Sequence, residues 1–228
     1  MRYIYLLIVL CCFSCNNERV LQLPEIENAE ITEVLDVSPA YIFYDETQPD
    51  STLLNRKNLI STTNWLVNVD KRLTLKQAIP HIKFLQDKKR NAEMHKNENA
   101  KNYFTCNDTS ISNLGFVEFT DINYVTQIDS YKKDEPINNE IRTVYIHFFS
   151  SEVFSITEFF DGKQTKDETM IIEPYFNEDY FNSYRKNKNI IYLSFDIRLS
   201  FQNYIDLKHK VIKFTNEMTE ISNDEFIY

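Results

Sequence analysis

The stretch Ile191-Tyr192-Leu193-Ser194-Phe195-Asp196-Ile197-Arg198-Leu199-Ser200 alternates apolar and polar side chains without a break. A strand turns successive side chains to opposite faces, so the pattern predicts a strand with one dry and one wet face. Working outward, Val144, Ile146 and Phe148 repeat the alternation, as do Phe154 and Ile156. Asp161-Gly162 follows Phe160 and is a hairpin signal, because a two-residue turn needs a positive φ that glycine adopts at little cost. The expected fold is α+β. An antiparallel β meander of about five to seven strands should run from Phe116 to about Phe214, with one main helix packed on it.

That helix is predicted upstream, where Leu75, Ala78, Ile79, Ile82 and Leu85 recur at helical spacing on one face. Thr74 and Gln77 form a capping-box pattern at its start. Pro80 removes one backbone bond and predicts a kink or a later start, and the helix is expected to reach about Lys101. Ala40–Tyr44 and Trp65–Val69 read as short strands before it. A single domain, 40–228, therefore has a β-α subregion at 40–105 and a β-rich one at 116–228.

The first fifteen residues set a location. Arg2 supplies a positive charge, Tyr3 to Leu10 is apolar throughout, and Cys12-Phe13-Ser14-Cys15 puts a small residue before a cysteine. The apolar run is far short of the roughly 20 residues a helix needs to span a bilayer. The stretch resembles a bacterial lipoprotein precursor, although Cys12 stands where that family usually has leucine. The resemblance implies a signal peptide at 1–14, cleavage before Cys15, and diacylglycerol and an N-acyl chain such as palmitate on that cysteine. Two or more buried chains give stable membrane anchoring. Residues 15–39, polar and punctuated by Pro24 and Pro39, are expected to tether the domain to the cell outer membrane.

Charge and composition narrow the function. The chain has 25 basic and 34 acidic residues, and losing Arg2 with the signal leaves 24 against 34, a net of −10. Nucleic acid is an unsuitable partner for such a chain. Only Gly115 and Gly162 are glycines. Phosphate cradles, dinucleotide fingerprints and nucleophile elbows all need glycine where backbone turns tightly or meets a ligand, so no cofactor is expected. Cys106 is the one thiol left beyond Cys15, which rules out an intramolecular disulfide.

Candidate sites are few. No two of His81, His95, His147 and His209 have ligand spacing, and no metal is expected. The carboxylate clusters Asp134-Glu135, Glu158 with Asp161, and Glu178-Asp179 read as solvated charge. Residues 71–101 hold nine basic and three acidic groups, a solvated helix face or a docking surface for an acidic partner or anionic headgroups. Tyr175, Tyr180 and Tyr184, beside Asn and Asp, could stack on a glycan.

Trp65-Leu-Val-Asn-Val-Asp70-Lys-Arg-Leu-Thr-Leu-Lys-Gln-Ala-Ile-Pro-His-Ile resembles the strand, Asp-Lys-Arg and helix segment of the periplasmic domain of TolR-like transport accessory proteins. That family's transmembrane helix is replaced here by the lipobox, so its ion coupling is not implied. The expected function is a non-catalytic envelope lipoprotein that binds another envelope protein or a glycan. An exported immunity-type inhibitor of a toxin is one variant, and an envelope hydrolase with a side-chain-built site is the rival class.

Overall fold

The computed structural model describes residues 19–92, 97–126, 141–177, 188–214 and 218–228, apart from the side chains of Pro174, Tyr175 and Phe214. Among the described residues twelve strands form two mixed sheets. The first holds β1 (Glu25–Ile26), β2 (Val37–Tyr44), β3 (Thr52–Asn55), β4 (Asn64–Val69), β5 (Asn102–Asp108) and β6 (Asn113–Glu118) in the order β1-β5-β4-β2-β3, with β6 also on β5. The second holds β7 (Asn123–Val125), β8 (Arg142–Phe148), β9 (Val153–Phe160), β10 (Lys163–Ile171), β11 (Asn189–Phe195) and β12 (Thr219–Ile227) in the order β10-β9-β8-β11-β12-β7. Two long helices, α1 (Leu75–Arg90) and α2 (Phe201–Phe214), join β4 to β5 and β11 to β12.

The antiparallel meander is thereby corrected. β2 pairs parallel with β4 and β4 with β5, while β8 pairs parallel with β11 and β11 with β12. A parallel pair needs a crossover, which α1 supplies between β4 and β5 and α2 between β11 and β12. The alternating run ends as a strand at Phe195. Asp196–Ser200 is a loop, and from Phe201 the apolar spacing Phe201, Tyr204, Ile205, Leu207, Val211 is helical. α1 also differs from expectation, running through Pro80 as one element and ending at Arg90, where Asn91 caps it. Lys88, Lys89 and Arg90 fill its last turn, where cations suit the negative end of the helix dipole. The Asp161-Gly162 turn does join β9 to β10, with φ of 52° and 70°.

The two halves share one plan. In each, a strand with an antiparallel partner (β2 with β3, β8 with β9) is followed by a parallel strand, an Asp-x-Arg-Leu-Thr/Ser loop, a helix and another parallel strand. Asp70-Lys-Arg-Leu-Thr74 and Asp196-Ile-Arg-Leu-Ser200 lie 126 residues apart and are built alike. Asp70 N–H donates to the Ile42 carbonyl and Asp196 N–H to that of Phe148. Arg72 forks onto Asp70 at 2.8 and 2.7 Å, and Arg198 onto Asp196 at 2.9 and 2.6 Å.

These loops also join the halves. The first N–H groups of a helix have no partner within it. Leu75 and Lys76 N–H donate to the carbonyls of Leu199 and Ile197, and Phe201 and Gln202 N–H return the arrangement to Leu73 and Lys71. Each helix start is capped by the other half's loop. At α1, Gln77 Oε1 adds a cap by accepting from the Thr74 N–H and hydroxyl, both at 2.9 Å. One core runs through both halves. Phe104 of β5 stacks on Phe119 at 3.8 Å and meets Phe201 of α2 edge-on at 5.1 Å.

Within 15–39, the described residues from Arg19 carry β1 and the start of β2. Pro24 and Ile26 are buried, and Glu25 and Glu27 face out. Gly115 on β6 leaves room for this segment, since a Cβ there would stand 2.6 Å from the Ala29 Cβ and 3.0 Å from Ile26 Cδ1.

Candidate functional site

α1 buries Ala78, Ile82 and Leu85 against the sheet. Its neighbouring face, Lys76, Pro80, Lys83 and Asp87, recurs at helical spacing and borders a groove enclosing about 510 Å³. Leu75 and Ile79 line it from the same helix, and Ile197 and Ile227 from the second half. Phe84 stands at the rim, 46% exposed, with the Arg56 guanidinium 5.0 Å above its ring. A mostly apolar concavity of a few hundred Å³ with a few charged groups at its edge is the usual form of a binding site.

The basic run of residues 71–101 is largely spent inside the molecule. Lys71 pairs with Glu25, Arg72 with Asp70, and Lys101 with Glu118. Lys83 donates to the Tyr124 carbonyl and Arg90 to that of Ile122. Lys89 is buried, its ammonium donating to the Lys101 carbonyl and Asn102 Oδ1 while lying 5.1 Å from the Trp65 ring. Burial lowers its pKa to about 8. Lys76 and Lys88 make no ion pair or hydrogen bond through their ammonium groups among the described residues, and Lys76 is at the groove.

Among the described residues the histidines sit in structural contacts; His95, Asp134-Glu135 and Glu178-Asp179 lie outside them. His81 Nε2 lies 3.1 Å from the Thr52 hydroxyl, and the His209 ring donates to the Glu27 carbonyl. His147 Nδ1 is 2.8 Å from Ser194 Oγ, the pairing that nucleophilic catalysis would use. Yet Ser194 is 1% exposed, and the imidazole is stacked on Tyr228 at 4.9 Å and capped edge-on by Phe149 at 4.2 Å. Burial lowers the His147 pKa against the opposing pull of Asp196. A hydroxyl shut from solvent cannot meet a substrate, so the pair ties β8 to β11. Glu158 lies 3.8 Å from Arg142. Cys106 is buried, and desolvation, with Asp206 and Asp108 nearby, pushes its thiol pKa up and away from reactivity. Among the described residues no group of three His, Cys, Asp or Glu could hold a metal.

A fully buried polar cluster lies between α2 and β12. The Lys208 ammonium meets Glu225, whose other oxygen accepts from the Tyr204 hydroxyl at 2.7 Å, and Tyr124 reaches Tyr204 at 3.1 Å. With 4% and 0% of the Lys208 and Glu225 side chains exposed, this cluster is structural.

Cys15, Tyr180 and Tyr184 lie outside the described residues, as does the side chain of Tyr175, whose backbone closes a helical turn at Ile172–Tyr175. The sequence reading missed the groove. Its signal was Phe84, a large aromatic off the apolar stripe of α1.

No family model matches the chain, and no curated protein matches it. Among solved structures it is similar to a Bacteroides thetaiotaomicron protein described as having an actin-like ATPase fold and unknown function. The identity is 10%, over 85% of this chain and 90% of that one, at a TM-score of 0.28. A likeness that slight carries neither mechanism nor ligand across.

Proposed function

We propose that the chain is a cell-envelope lipoprotein, exported, cut before Cys15 and lipidated there, that works without catalysis as a binding module for another envelope protein. The observation that supports this reading best is the groove along α1, apolar at its floor with Lys76, Lys83 and Asp87 at its rim. An apolar surface held open beside charge is a common mark of a protein-recognition site. The outer membrane is the proposed location, on the strength of the residues around Cys15.

Two measurements test the reading. Fatty-acid labelling should mark the wild type and vanish in Cys15→Ala, whereas unlabelled wild-type protein would remove the anchor. A photo-cross-linking side chain at Phe84 should capture an envelope protein in intact cells, and one at Lys166, on the far edge strand β10, should not. Equal capture at both positions, or none at Phe84, would remove the groove as the docking site.

A further inference from the structure

The chain between Cys15 and the domain is short. Arg19 pairs with Asp45, just past β2, at 2.8 Å, and the Arg72 guanidinium reaches the Val20 carbonyl at 3.5 Å. From there the segment is strapped to both halves. Lys71 N–H donates to the Gln22 carbonyl at 2.7 Å, and the Asn107 and Thr109 N–H groups donate to the carbonyls of Pro24 and Ile26. Gln202 accepts from the Glu25 N–H at 2.8 Å and donates to the Glu25 carbonyl at 2.9 Å, while His209 and Lys213 hold the Glu27 carbonyl. Only residues 16–18 therefore separate Cys15 from a residue fixed on the domain, and that stretch reaches at most roughly 14 Å. The headgroup layer of one leaflet is about 5–8 Å deep, so a lipidated Cys15 keeps the Arg19 side of the domain close to the bilayer surface.

That side is the face where the parallel strands of both sheets end. α1 starts at the end of β4, and Leu75 in its first turn lines the groove with Ile197, just past β11, and Ile227, the last residue of β12. Three separate loops each put an exposed apolar side chain on this face. Val20 is 71% exposed in the anchor segment, Ile111 49% in the β5–β6 turn and Phe149 43% in the β8–β9 turn. Single exposed apolar residues are ordinary, and the opposite face has its own in Leu35, Val37 and Ile60. The tether chooses between the faces, because the eight residues of β2 alone separate them by roughly 25 Å.

We infer that the face presenting Val20, Ile111 and Phe149 lies on the lipid bilayer, with those three side chains in the headgroup layer. This depends on the lipidation of Cys15 proposed above. Arg19, Lys71, Arg72 and Arg198 each meet a carboxylate, Asp45, Glu25, Asp70 and Asp196 in turn, so these loops bring no surplus of positive charge. Clustered cations are what draw anionic lipid, so the contact is apolar and independent of lipid charge. Three partly buried side chains are too few to hold a free protein on a membrane, but the tether supplies the local concentration at which a weak contact sets orientation. α1 runs away from this face, which carries Phe84 and the groove clear of the bilayer.

The full chain, extracted with its lipid and placed in phosphatidylcholine vesicles, carries an environment-sensitive thiol dye at Ile111→Cys, at Phe149→Cys or, on the opposite face, at Ile60→Cys. Cys106 is buried and stays unlabelled. Lipids bearing a nitroxide on the headgroup should quench the dye at positions 111 and 149 and leave it bright at position 60. Val20→Asp with Ile111→Asp, both at exposed positions, should abolish quenching at position 149 while fatty-acid labelling persists.

Equal quenching at positions 60 and 111, none at 111 and 149 on a chain that carries fatty acid, or quenching that appears only with anionic lipid would overturn the inference. So would a photo-cross-linker at Ile111 that captures a protein instead of lipid in intact cells, which would give the face to a partner. A chain without fatty acid fails in a different place, removing the anchor and the bilayer contact with it.

Discussion

The two halves of the chain answer the same architectural problem with different chemistry. Behind α1 the core is Ala78, Ile82 and Phe104, all apolar and buried. At the corresponding places behind α2 stand Tyr204, Lys208 and Glu225, equally buried and joined as an ion pair with hydroxyls. Outside the helices the contrast reverses in sense. α2 is covered by residues 22–27, while α1, tied through Lys83 and Arg90 to the Tyr124 and Ile122 carbonyls, also borders a groove. The half whose helix is strapped carries a buried ion pair, and the half whose helix borders the groove buries Gln86 and Lys89 instead. The lesson is that the scaffold depends on what the halves share, the Asp-x-Arg loops and crossed helix caps, and tolerates divergence elsewhere.

The largest test breaks the polar core. Glu225→Ala strands the Lys208 ammonium without its counter-charge, which should cost about 3–5 kcal/mol in urea unfolding. Lys208→Ile with Glu225→Leu imports the apolar chemistry of the first half and should recover most of that loss. A double variant as unstable as the single one would show that the pair is needed in its own right.

Next come the shared loops. Asp70→Asn removes the charge from a carboxylate that is 0% exposed, and should cost about 1.5–3 kcal/mol. Asp196→Asn should cost less, because Arg198 is 83% exposed and solvent screens the pair. Acid should act in the same order. Burial alone would raise the Asp70 pKa, but hydrogen bonds from Arg72 and from the Arg72 and Gln22 amides outweigh it and hold the value low. The stabilisation is therefore full above the ordinary carboxylate pKa of about 3.9 and is lost as pH falls through the lower folded value. Denaturation midpoints at about pH 5 and about pH 3 should converge for wild type and Asp70→Asn.

The last test belongs to the first half alone. Burial lowers the Lys89 pKa to about 8 when folded, against the usual lysine value of about 10.4 when unfolded, so stability should rise with pH between the two. Trp65 is the only tryptophan and lies 5.1 Å from that ammonium. Its fluorescence should titrate near pH 8 and be flat in Lys89→Met. An unchanged titration in the variant would assign the signal to another group.

Much of the local structure was legible. The cap at Thr74 and Gln77, the apolar stripe of α1, the strands at Val144–Phe148 and Ile191–Phe195 and the turn at Asp161-Gly162 each depend on neighbours in sequence. Strand direction does not, because alternation reports which face is dry and is silent on whether the partner runs parallel. α2 was hidden by two accidents. The alternating Ile197 and Leu199 lead straight into Phe201, and the buried Lys208 interrupts the apolar stripe. The repeat of Asp-x-Arg-Leu-Thr/Ser was in plain sight, but five residues 126 apart acquire meaning only when both loops are seen to cap each other's helices. The groove was signalled only by Phe84, since Ile197 and Ile227 reach it from the other half.

Residues 22–27 also have a mechanical consequence. They are fixed on the domain by Lys71, Gln202, Asn107 and Thr109, and upstream of them Arg19 pairs with Asp45 at 2.8 Å, so the described hold on the domain begins at Arg19. From Cys15 to Arg19 a fully extended chain reaches at most roughly 14 Å. With Cys15 in the bilayer, as proposed, that short leash would keep the Arg19 side of the domain near the headgroups. A pull on the domain would load the Arg19–Asp45 pair and then the hydrogen bonds of residues 22–27, and a partner would have to meet the module at the membrane.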